Sequence, residues 1–362
     1  MAKVFFTGFP GFLGSELLPR VMERLSGDTA VCLIQAKFAD LAQRRVEELT
    51  AAHPSLEGRI ELLEGDITLP DLGLGDCREL KEETTEVFHL AAVYDLSVPR
   101  KVGMKVNVEG TRYLLDFAQG CPDLQRFQYV STCYVSGRYA GIFRETDLEK
   151  GQDFNNYYEE TKYLAEVEVQ ERMGQGLPAT IYRPAIVVGD SRTGATQKYD
   201  GPYYVIRWLL RQPYLASMPM IGNPKTSRVN LVPRDFVTDA MAYLSGIEAS
   251  KGKVYQLADP NPLTVDDLVR VVAKATRRWV LRIPLPLGLA KAAIDHVPGV
   301  EWLMQIPSAS VDYFVHPTHY TADHILADLE GSGISVPSFP DYADRLIAFV
   351  RANPDISSEA MT

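Results

Sequence analysis

The chain has 362 residues, of which 46% are hydrophobic and 23% are charged, a composition typical of a globular protein rather than of a disordered one. It carries 37 basic and 47 acidic side chains and a formal net charge of −10, which argues against a general nucleic-acid binder, because such proteins are normally basic. The four cysteines lack the spacing of a zinc site or a disulfide framework, so we predict no metal centre and expect a cytoplasmic protein. We find no signal-peptide pattern and no run of about 20 apolar residues, so no transmembrane segment is predicted.

Short apolar runs alternate with amphipathic stretches through the first half of the chain. The runs predict strands at Val4–Thr7, Ala30–Gln35, Arg59–Leu63, Glu86–Leu90, Phe127–Ser131 and Ala179–Tyr182. Helical spacing of apolar residues predicts helices at Ser15–Leu25, Leu41–Thr50, Val108–Gln119 and Tyr158–Met173. Strands that alternate with helices build a doubly wound parallel sheet, so the predicted class is α/β.

A glycine-rich turn follows the first predicted strand. Gly8, Gly11 and Gly14 recur at every third position before a predicted helix. In a dinucleotide loop such glycines permit a tight turn, the approach of backbone to a pyrophosphate, and close packing of the helix, whose N-terminus attracts anions. We therefore predict that a nucleotide contacts Gly8, Phe9, Gly11, Phe12 and Leu13. A glycine-rich turn without a ligand is the alternative.

The end of the second predicted strand indicates which dinucleotide binds. An NAD site usually has Asp or Glu there, bonded to the ribose, whereas this chain has Gln35, followed by Lys37, Arg44 and Arg45. No acid is placed to repel a 2′-phosphate and cations are available to pair with it, so we predict NADPH in preference to NADH. Alternatively, these cations only solvate a helix.

Asp66 and Ile67 follow the third predicted strand. The Asp66 carboxylate is placed to accept a hydrogen bond from an adenine amino group. A carboxylate that caps its own loop is the alternative.

Tyr158 and Lys162 are four residues apart, which puts them one turn apart on one face of a predicted helix. A phenol with a pKa of about 10 is a poor acid at neutral pH, but a nearby ammonium lowers that pKa and makes proton transfer feasible. Thr132 follows a predicted strand, at the end where open α/β sheets bind ligands. Its hydroxyl is a candidate contact for a substrate oxygen or, alternatively, a cap of the strand end.

Seven motifs occur in the order typical of extended short-chain dehydrogenases/reductases. They are TGFPGFLG (7–14), GDI (65–67), HLAA (89–92), NVEGT (107–111), YVSTCYVSG (129–137), YEETK (158–162) and YRPAIVVGD (182–190). The chain resembles that superfamily over about its first 190 residues, and SRVNLVPRDFVTD (227–239) continues the match. Within the superfamily, FLGSELL, CLIQAK and YRPAIVVGDSRTG are similar to the fatty acyl-CoA reductase and thioester reductase branch (the male-sterility-type NAD-binding branch). That branch commonly has Arg where this chain has Gln35, so the 2′-phosphate contact falls to Lys37 or Arg44.

The resemblance implies a Rossmann-type core with a smaller C-terminal substrate-binding lobe. We expect residues 1–190 to form the NADP-binding core with the catalytic side chains. Residues 191–362 would form mainly the substrate-binding lobe, with segments at about 227–260 returning to the core.

The resemblance also implies a role for each matching residue. Thr132 would hold the substrate oxygen and Tyr158 would donate the proton, while Lys162 would bind the nicotinamide ribose and lower the Tyr158 pKa. Asn107 resembles the asparagine that supports the lysine through water, although a helix N-cap explains it equally well. Ala91 and Ala92 would line the cofactor with their backbone, and Pro184 would lie on the nicotinamide side.

These residues predict an NADPH-dependent reductase of an acyl thioester, bound to CoA or to an acyl carrier protein, that yields an aldehyde or an alcohol. A homodimer formed through the helix of Tyr158 and Lys162 is expected by analogy. Two alternatives stay open: a ketone, aldehyde or hydroxysteroid-like dehydrogenase of the same fold, and a non-catalytic NADP-sensing protein.

Overall fold

The computed structural model describes residues 2–296 and 307–356. Its strands are β1 (Lys3–Thr7), β2 (Thr29–Ile34), β3 (Ile60–Glu64), β4 (Thr84–His89), β5 (Arg126–Val130), β6 (Gly141–Phe143), β7 (Ala179–Pro184), β8 (Ile186–Val188), β9 (Leu215–Ile221), β10 (Arg228–Val229), β11 (Leu231–Pro233), β12 (Val254–Leu257), β13 (Leu263–Thr264), β14 (Trp279–Leu285) and β15 (Thr318–Tyr320). Its helices are α1 (Gly14–Arg24), α2 (Ala39–Ala52), α3 (Arg78–Glu83), α4 (Arg100–Gly103), α5 (Gly110–Gln119), α6 (Tyr157–Gly174), α7 (Pro202–Arg211), α8 (Arg234–Gly246), α9 (Val265–Thr276) and α10 (Leu287–His296), with further helices at Ser308–Val311, Asp323–Asp328 and Phe339–Ala352.

Seven parallel strands form the central sheet in the order β3-β2-β1-β4-β5-β7-β12. The chain therefore runs outward from β1 to one edge and from β4 to the other, and the carboxyl ends of all seven strands lie along one edge of the sheet. This confirms the predicted doubly wound α/β fold of Rossmann type. The six predicted strands are present, with ends that differ by one or two residues. The seventh, β12, comes from the second half of the chain.

Two apolar layers cover the sheet. On one face α1 packs against α8, with Leu17, Val21, Phe236 and Met241 fully or almost fully buried. On the other face α5 and α6 supply residues such as Leu114 to a second buried cluster. The sheet is buried on both faces, which explains why its strands are continuous apolar runs in the sequence.

The second half of the chain also builds a separate apolar core. Leu209 of α7, Val269 of α9 and Leu346 of the helix Phe339–Ala352 are all fully buried there. Strand β9 pairs in parallel with β14 beside this core. In the part of the chain that the structure describes, every helix is too short or too polar to cross a membrane.

The helix predicted at Val108–Gln119 begins earlier than expected. Helix α4 starts at Arg100 and continues through a π-helical segment, Met104–Glu109, into α5. A π-turn inserts one residue into the helical repeat, so it interrupts the spacing of apolar residues on which the prediction depends.

Candidate active site

The predicted phosphate loop connects β1 to the N-terminus of α1. Gly8 has a φ of +86°, and a Cβ there would lie 2.7 Å from the carbonyl carbon of Leu90. The Gly11 amide donates to Gly8 O at 2.9 Å, and a Cβ on Gly14 would lie 2.5 Å from that oxygen. Larger residues would therefore open this turn, which leaves bare backbone beside the helix N-terminus, as an anion-binding loop requires.

Arg234 brings a guanidinium to this loop. Its Cζ lies 4.9 Å from the centre of the Phe12 ring, and its Nη2 is 3.3 Å from Glu16 Oε1. Arg234 is only 7% exposed, and its Nε is buried without a hydrogen-bond partner among the described residues. Sequence analysis missed this residue, because it lies more than 200 positions from the loop. The sequence signal that could have identified Arg234 is its position within the motif SRVNLVPRDFVTD (227–239), which continues the family resemblance into the second half of the chain.

A pocket of about 470 Å³ lies where β2 and β3 end. It is lined by Gln35, Ala36, Lys37, Glu64, Gly65, Asp66, Leu69 and Gly73. Gln35 Nε2 donates to Asp66 Oδ2 at 2.9 Å, and the Thr68 amide donates to Asp66 Oδ1 at 2.8 Å. Burial raises the pKa of Asp66, but these hydrogen bonds outweigh it and lower the pKa overall. Asp66 therefore caps its own loop with one oxygen and holds Gln35 with the other.

Lys37 is the only cation among the described residues that line this pocket. It is exposed, and its Nζ lies 4.9 Å from the Phe38 ring centre. Arg44 is exposed on α2, and Arg45 pairs with Glu48 at 2.7 Å on the same helix. The expectation that no acid is placed to repel a 2′-phosphate needs correction, because Glu64 at the end of β3 lines the pocket together with Lys37.

Ala91, Ile67 and Pro184 lie around the carboxyl ends of the central strands. The Ala91 amide donates to Thr7 Oγ1 at 3.2 Å, and a Cβ on Gly8 would lie 2.8 Å from that amide nitrogen. Ile67 is almost fully buried, and Pro184 ends β7. Ala92 follows Ala91 and is half-buried.

Thr132 and Tyr158 meet at the carboxyl end of β5. The Thr132 hydroxyl accepts from the Tyr134 amide at 3.3 Å and lies 3.5 Å from Pro184 O. Tyr158 lies in the first turn of α6, which Asn156 caps by accepting the Glu159 amide at 3.0 Å. Burial raises the pKa of Tyr158 to about 12, and a hydrogen bond with the Thr132 side chain acts in the opposite direction. The structure thus places the two predicted hydroxyl side chains close together.

Lys162 lies one turn further along α6 but bonds elsewhere. Its Nζ donates to Tyr129 Oη at 2.9 Å and to Val130 O at 2.8 Å, and the side chain is almost fully buried. Burial lowers the pKa of Lys162 to about 7, against the opposing effect of the Glu166 carboxylate. The predicted lowering of the Tyr158 pKa by Lys162 is not seen, because the ammonium contacts Tyr129 instead.

Asn107 lies inside the π-helical segment, so the alternative that it caps a helix N-terminus is wrong. Its Oδ1 accepts the Val93 amide at 2.9 Å, and its Nδ2 donates to Val93 O and to Thr161 Oγ1 at 3.1 and 3.0 Å. Asn107 therefore connects the loop after β4 to the residue that precedes Lys162.

A fully buried ion pair supports this end of the sheet. Arg183 Nη2 lies 2.6 Å from Glu166 Oε1, both side chains have no exposed surface, and Ser131 Oγ donates to the same carboxylate. The pair connects β7, α6 and the end of β5. Sequence analysis did not identify it, because charged residues give no apolar signal.

A second ion pair lies near Tyr158. Lys198 Nζ is 3.0 Å from Asp200 Oδ2 and 4.6 Å from the Tyr94 ring centre. Tyr94 and Asp200 are both close enough to raise the Tyr158 pKa. The loop before α7 and the loop after β4 therefore border the Thr132–Tyr158 pair.

The profile of the family described as male sterility protein matches residues 6–241. The chain belongs to this family. It is accordingly an extended short-chain dehydrogenase/reductase, and an NAD(P)-dependent oxidoreductase, with a nicotinamide cofactor.

The chain is similar to parts of much longer proteins. It is 28% identical over 272 residues to the non-canonical nonribosomal peptide synthetase cpsA of Aspergillus campestris, a match that covers 70% of this chain and 25% of that protein. It is 28% identical over 277 residues to the aldehyde reductase lnaA of Aspergillus flavus, which covers 72% of this chain and 26% of that protein. The chain thus spans about a quarter of the length of these two relatives.

A solved structure matches the fold over nearly the whole chain. The terminal R domain from the myxalamid PKS-NRPS biosynthetic pathway superposes with a TM-score of 0.82 at 26% identity, covering 98% of this chain and 91% of that one. The fold of this chain is therefore similar to that of a terminal R domain from a PKS-NRPS biosynthetic pathway.

Proposed function

We propose that this member of the male sterility protein family reduces an acyl thioester with NADPH and releases an aldehyde and a thiol. The observation that carries the proposal is the closeness of the Thr132 and Tyr158 side chains at the carboxyl end of β5, with Lys162 one turn beyond Tyr158 on α6. The similarity to a terminal R domain of a PKS-NRPS pathway favours a thioester over a free ketone.

The residues present fit a nicotinamide dinucleotide. The Gly8 turn leaves no room for a side chain, so a pyrophosphate can approach its backbone. The buried Nε of Arg234 has no partner among the described residues, which suits a phosphate oxygen. The adenosine end would occupy the pocket beside Gln35 and Asp66, and Lys162 would hold the nicotinamide ribose. When bound, the cofactor supplies the hydride.

Thr132 and Tyr158 would act on the thioester carbonyl oxygen. Both hydroxyls donate to this oxygen as it gains negative charge, and Tyr158 transfers its proton to it. The product of this step is a hemithioacetal. The Tyr158 phenolate then takes back the hydroxyl proton, the carbon–sulfur bond breaks, and the thiol leaves with a proton from solvent. The aldehyde that remains is released or reduced a second time to the alcohol.

The preference for NADPH rests on Lys37. Lys37 and the acid Glu64 line the same pocket, so their two charges would have opposing effects on a 2′-phosphate bound there. Lys37→Glu should weaken NADPH binding by about tenfold or more and leave NADH binding within about twofold, since only NADPH carries the phosphate. Arg44→Glu is the matched control on α2 and should have a smaller effect. Equal loss for both cofactors in the Lys37 variant would contradict this assignment.

A carrier-bound acyl group is the substrate form that we propose, because the chain is similar to a terminal R domain from a PKS-NRPS biosynthetic pathway. A free aldehyde is the second candidate, favoured by the similarity to the aldehyde reductase lnaA. The homodimer expected through α6 stays a prediction.

Parallel assays of a carrier-bound acyl thioester, the matching acyl-CoA, the matching aldehyde and a bulky ketone distinguish these substrates. NADPH oxidation is followed at 340 nm and free thiol with a chromogenic disulfide. We expect turnover of a thioester with release of one thiol per aldehyde. Turnover of the aldehyde or the ketone alone would reject the thioester proposal and favour an ordinary carbonyl dehydrogenase.

A further inference from the structure

Beneath Lys162, five buried side chains form one connected polar set. Thr7, His89, Thr111, Tyr129 and Lys162 are each at most 3% exposed, and they belong to β1, β4, α5, β5 and α6. Thr7 Oγ1 is 2.8 Å from His89 Nδ1, and His89 Nε2 is 3.0 Å from Thr111 Oγ1. Lys162 Nζ donates to the Tyr129 hydroxyl at 2.9 Å, and Tyr129 lies beside Thr111 with its ring centre 5.6 Å from that of His89.

The direction of each hydrogen bond follows from a count of donors and acceptors. The Thr111 hydroxyl donates to the Asn107 carbonyl at 2.6 Å, and a carbonyl only accepts, so the single proton of Thr111 is committed there. Thr111 Oγ1 must then accept from its other hydrogen-bonded neighbour, His89 Nε2–H. An ammonium only donates, so the Tyr129 hydroxyl accepts from Lys162 Nζ.

The same count fixes the other end of the set. His89 carries its proton on Nε2, so its Nδ1 accepts from the Thr7 hydroxyl. Thr7 Oγ1 in turn accepts the Ala91 amide at 3.2 Å. Burial and the charge of Lys162 lower the pKa of His89 to about 3, so the ring stays neutral, as this arrangement requires. The hydroxyls of Thr7 and Thr111 and both ring nitrogens of His89 are satisfied in one arrangement.

This set reaches the phosphate loop. Thr7 is the last residue of β1, directly before Gly8, and Ala91 lies against Gly8. At the opposite end, two protons of the Lys162 ammonium are held by Tyr129 and by the Val130 carbonyl, so the direction of its third proton is fixed. The loop and the lysine are therefore joined through side chains that have no other role in the site.

We propose that Tyr129 is a positioning residue, which through Thr111 and His89 fixes Lys162 Nζ relative to the phosphate loop for binding the cofactor ribose. This inference rests on the role proposed above for Lys162. Tyr129 itself touches no reacting atom and acts only through the lysine.

The test compares Tyr129→Phe with Tyr182→Phe. Tyr182 is an equally buried tyrosine on the neighbouring strand β7, and its hydroxyl donates to Gln128 rather than to any group of this set. The dissociation constant of NADPH is measured from the fluorescence of the bound nicotinamide. We expect about a tenfold weaker affinity for Tyr129→Phe, the usual effect of removing a hydrogen bond to a charged group, and a change below about twofold for Tyr182→Phe. Wild-type affinity in Tyr129→Phe would overturn the proposal.

The pH dependence of NADPH binding distinguishes positioning from general loss of packing. The titratable groups around Lys162 are Tyr129 on β5, Glu166 on its own helix and His89 on β4. Removing the Tyr129 oxygen disfavours the ammonium, so the midpoint of the alkaline loss of binding should move to lower pH in Tyr129→Phe. It should stay unchanged in Tyr182→Phe. The same midpoint in Tyr129→Phe and in the wild type would count against the proposal.

Further variants distinguish a failure of this inference from a failure of the proposed role of Lys162, and from a folding defect of Tyr129→Phe. Lys162→Met with unchanged NADPH affinity would reject the proposed role of the lysine itself, whereas weak binding by Lys162→Met and normal binding by Tyr129→Phe would reject only this inference. If Tyr129→Phe fails to fold, Thr111→Val removes the connection with an isosteric side chain and should weaken NADPH binding in the same direction. Long-range proton–nitrogen NMR of the wild type should show the Nε2–H form of His89, and the Nδ1–H form would overturn the deduced directions.

Discussion

Replacing Lys162 by methionine should remove a pH-dependent cost to the stability of the fold while it abolishes turnover. Lys162 is 3% exposed, and burial lowers its pKa to about 7, whereas an unfolded lysine has a pKa of about 10.4. Because the pKa of Lys162 is about three pH units lower in the native state than in the unfolded chain, burial of this amine lowers the free energy of unfolding at pH 7 by roughly 4 kcal/mol. Methionine fills a similar volume and has no such cost.

The sign of the pH dependence follows from the bound protons. Between pH 7 and about 10.4 the unfolded chain holds a proton on Lys162 that the native state lacks, so the free energy of unfolding of the wild type rises with pH. The methionine variant lacks this dependence. The variant also lacks the hydrogen bonds from Lys162 to Tyr129 and Val130, which lowers its free energy of unfolding by about 1–3 kcal/mol for each group left unsatisfied. This cost does not depend on pH.

The change in relative stability with pH is therefore the quantity to measure. Urea unfolding of both proteins at pH 7, 8 and 9 should show that the variant loses about 2 kcal/mol relative to the wild type between pH 7 and 9. Lys101→Met, at an exposed position on α4, is the control and should show no such change. A constant difference between Lys162→Met and the wild type across this range would refute the assignment of a buried amine with a lowered pKa.

Three other substitutions test separate parts of the site. Tyr158→Phe should lower kcat by about a hundredfold or more with NADPH affinity unchanged, since only the proton donor is lost, and full turnover would reject its catalytic role. Glu166→Gln should lower the free energy of unfolding in urea by about 3–5 kcal/mol, because the Arg183 charge stays buried without its partner, and a change below about 1 kcal/mol would contradict this. Gly8→Ala should abolish NADPH binding and lower the free energy of unfolding by about 1–3 kcal/mol, because Gly8 has a positive φ and a Cβ there would clash with Leu90. Wild-type affinity for NADPH in this variant would reject the assignment of the phosphate loop.

The parallel sheet could be predicted from the sequence because buried strands are continuous apolar runs, and the glycine turn after β1 has a spacing that few other structures require. The helix at Val108–Gln119 was predicted too short, since a π-turn changes the repeat without changing residue type. Strand β12 was not identified, because four residues give too little pattern to distinguish a strand from a loop.

The site shows the limit of local spacing more directly. The interval of four residues correctly places Tyr158 and Lys162 on one helix, but it does not specify which neighbour the ammonium contacts. That neighbour is Tyr129, which comes from a strand 33 residues earlier in the chain. Glu64 and Arg234 likewise enter the cofactor region from distant segments, so only the folded chain reveals them.

The transfer of deuterium from NADPH labelled at C4 to a thioester carbon tests the central claim most directly. The wild-type chain is incubated with an acyl thioester and each labelled epimer of the reductant, and the products are analysed by mass spectrometry and thiol titration. We predict an aldehyde with one deuterium at C1 from one epimer only, and one equivalent of thiol. Thiol released without a labelled aldehyde or alcohol would indicate hydrolysis and would contradict reduction at the Thr132–Tyr158 pair.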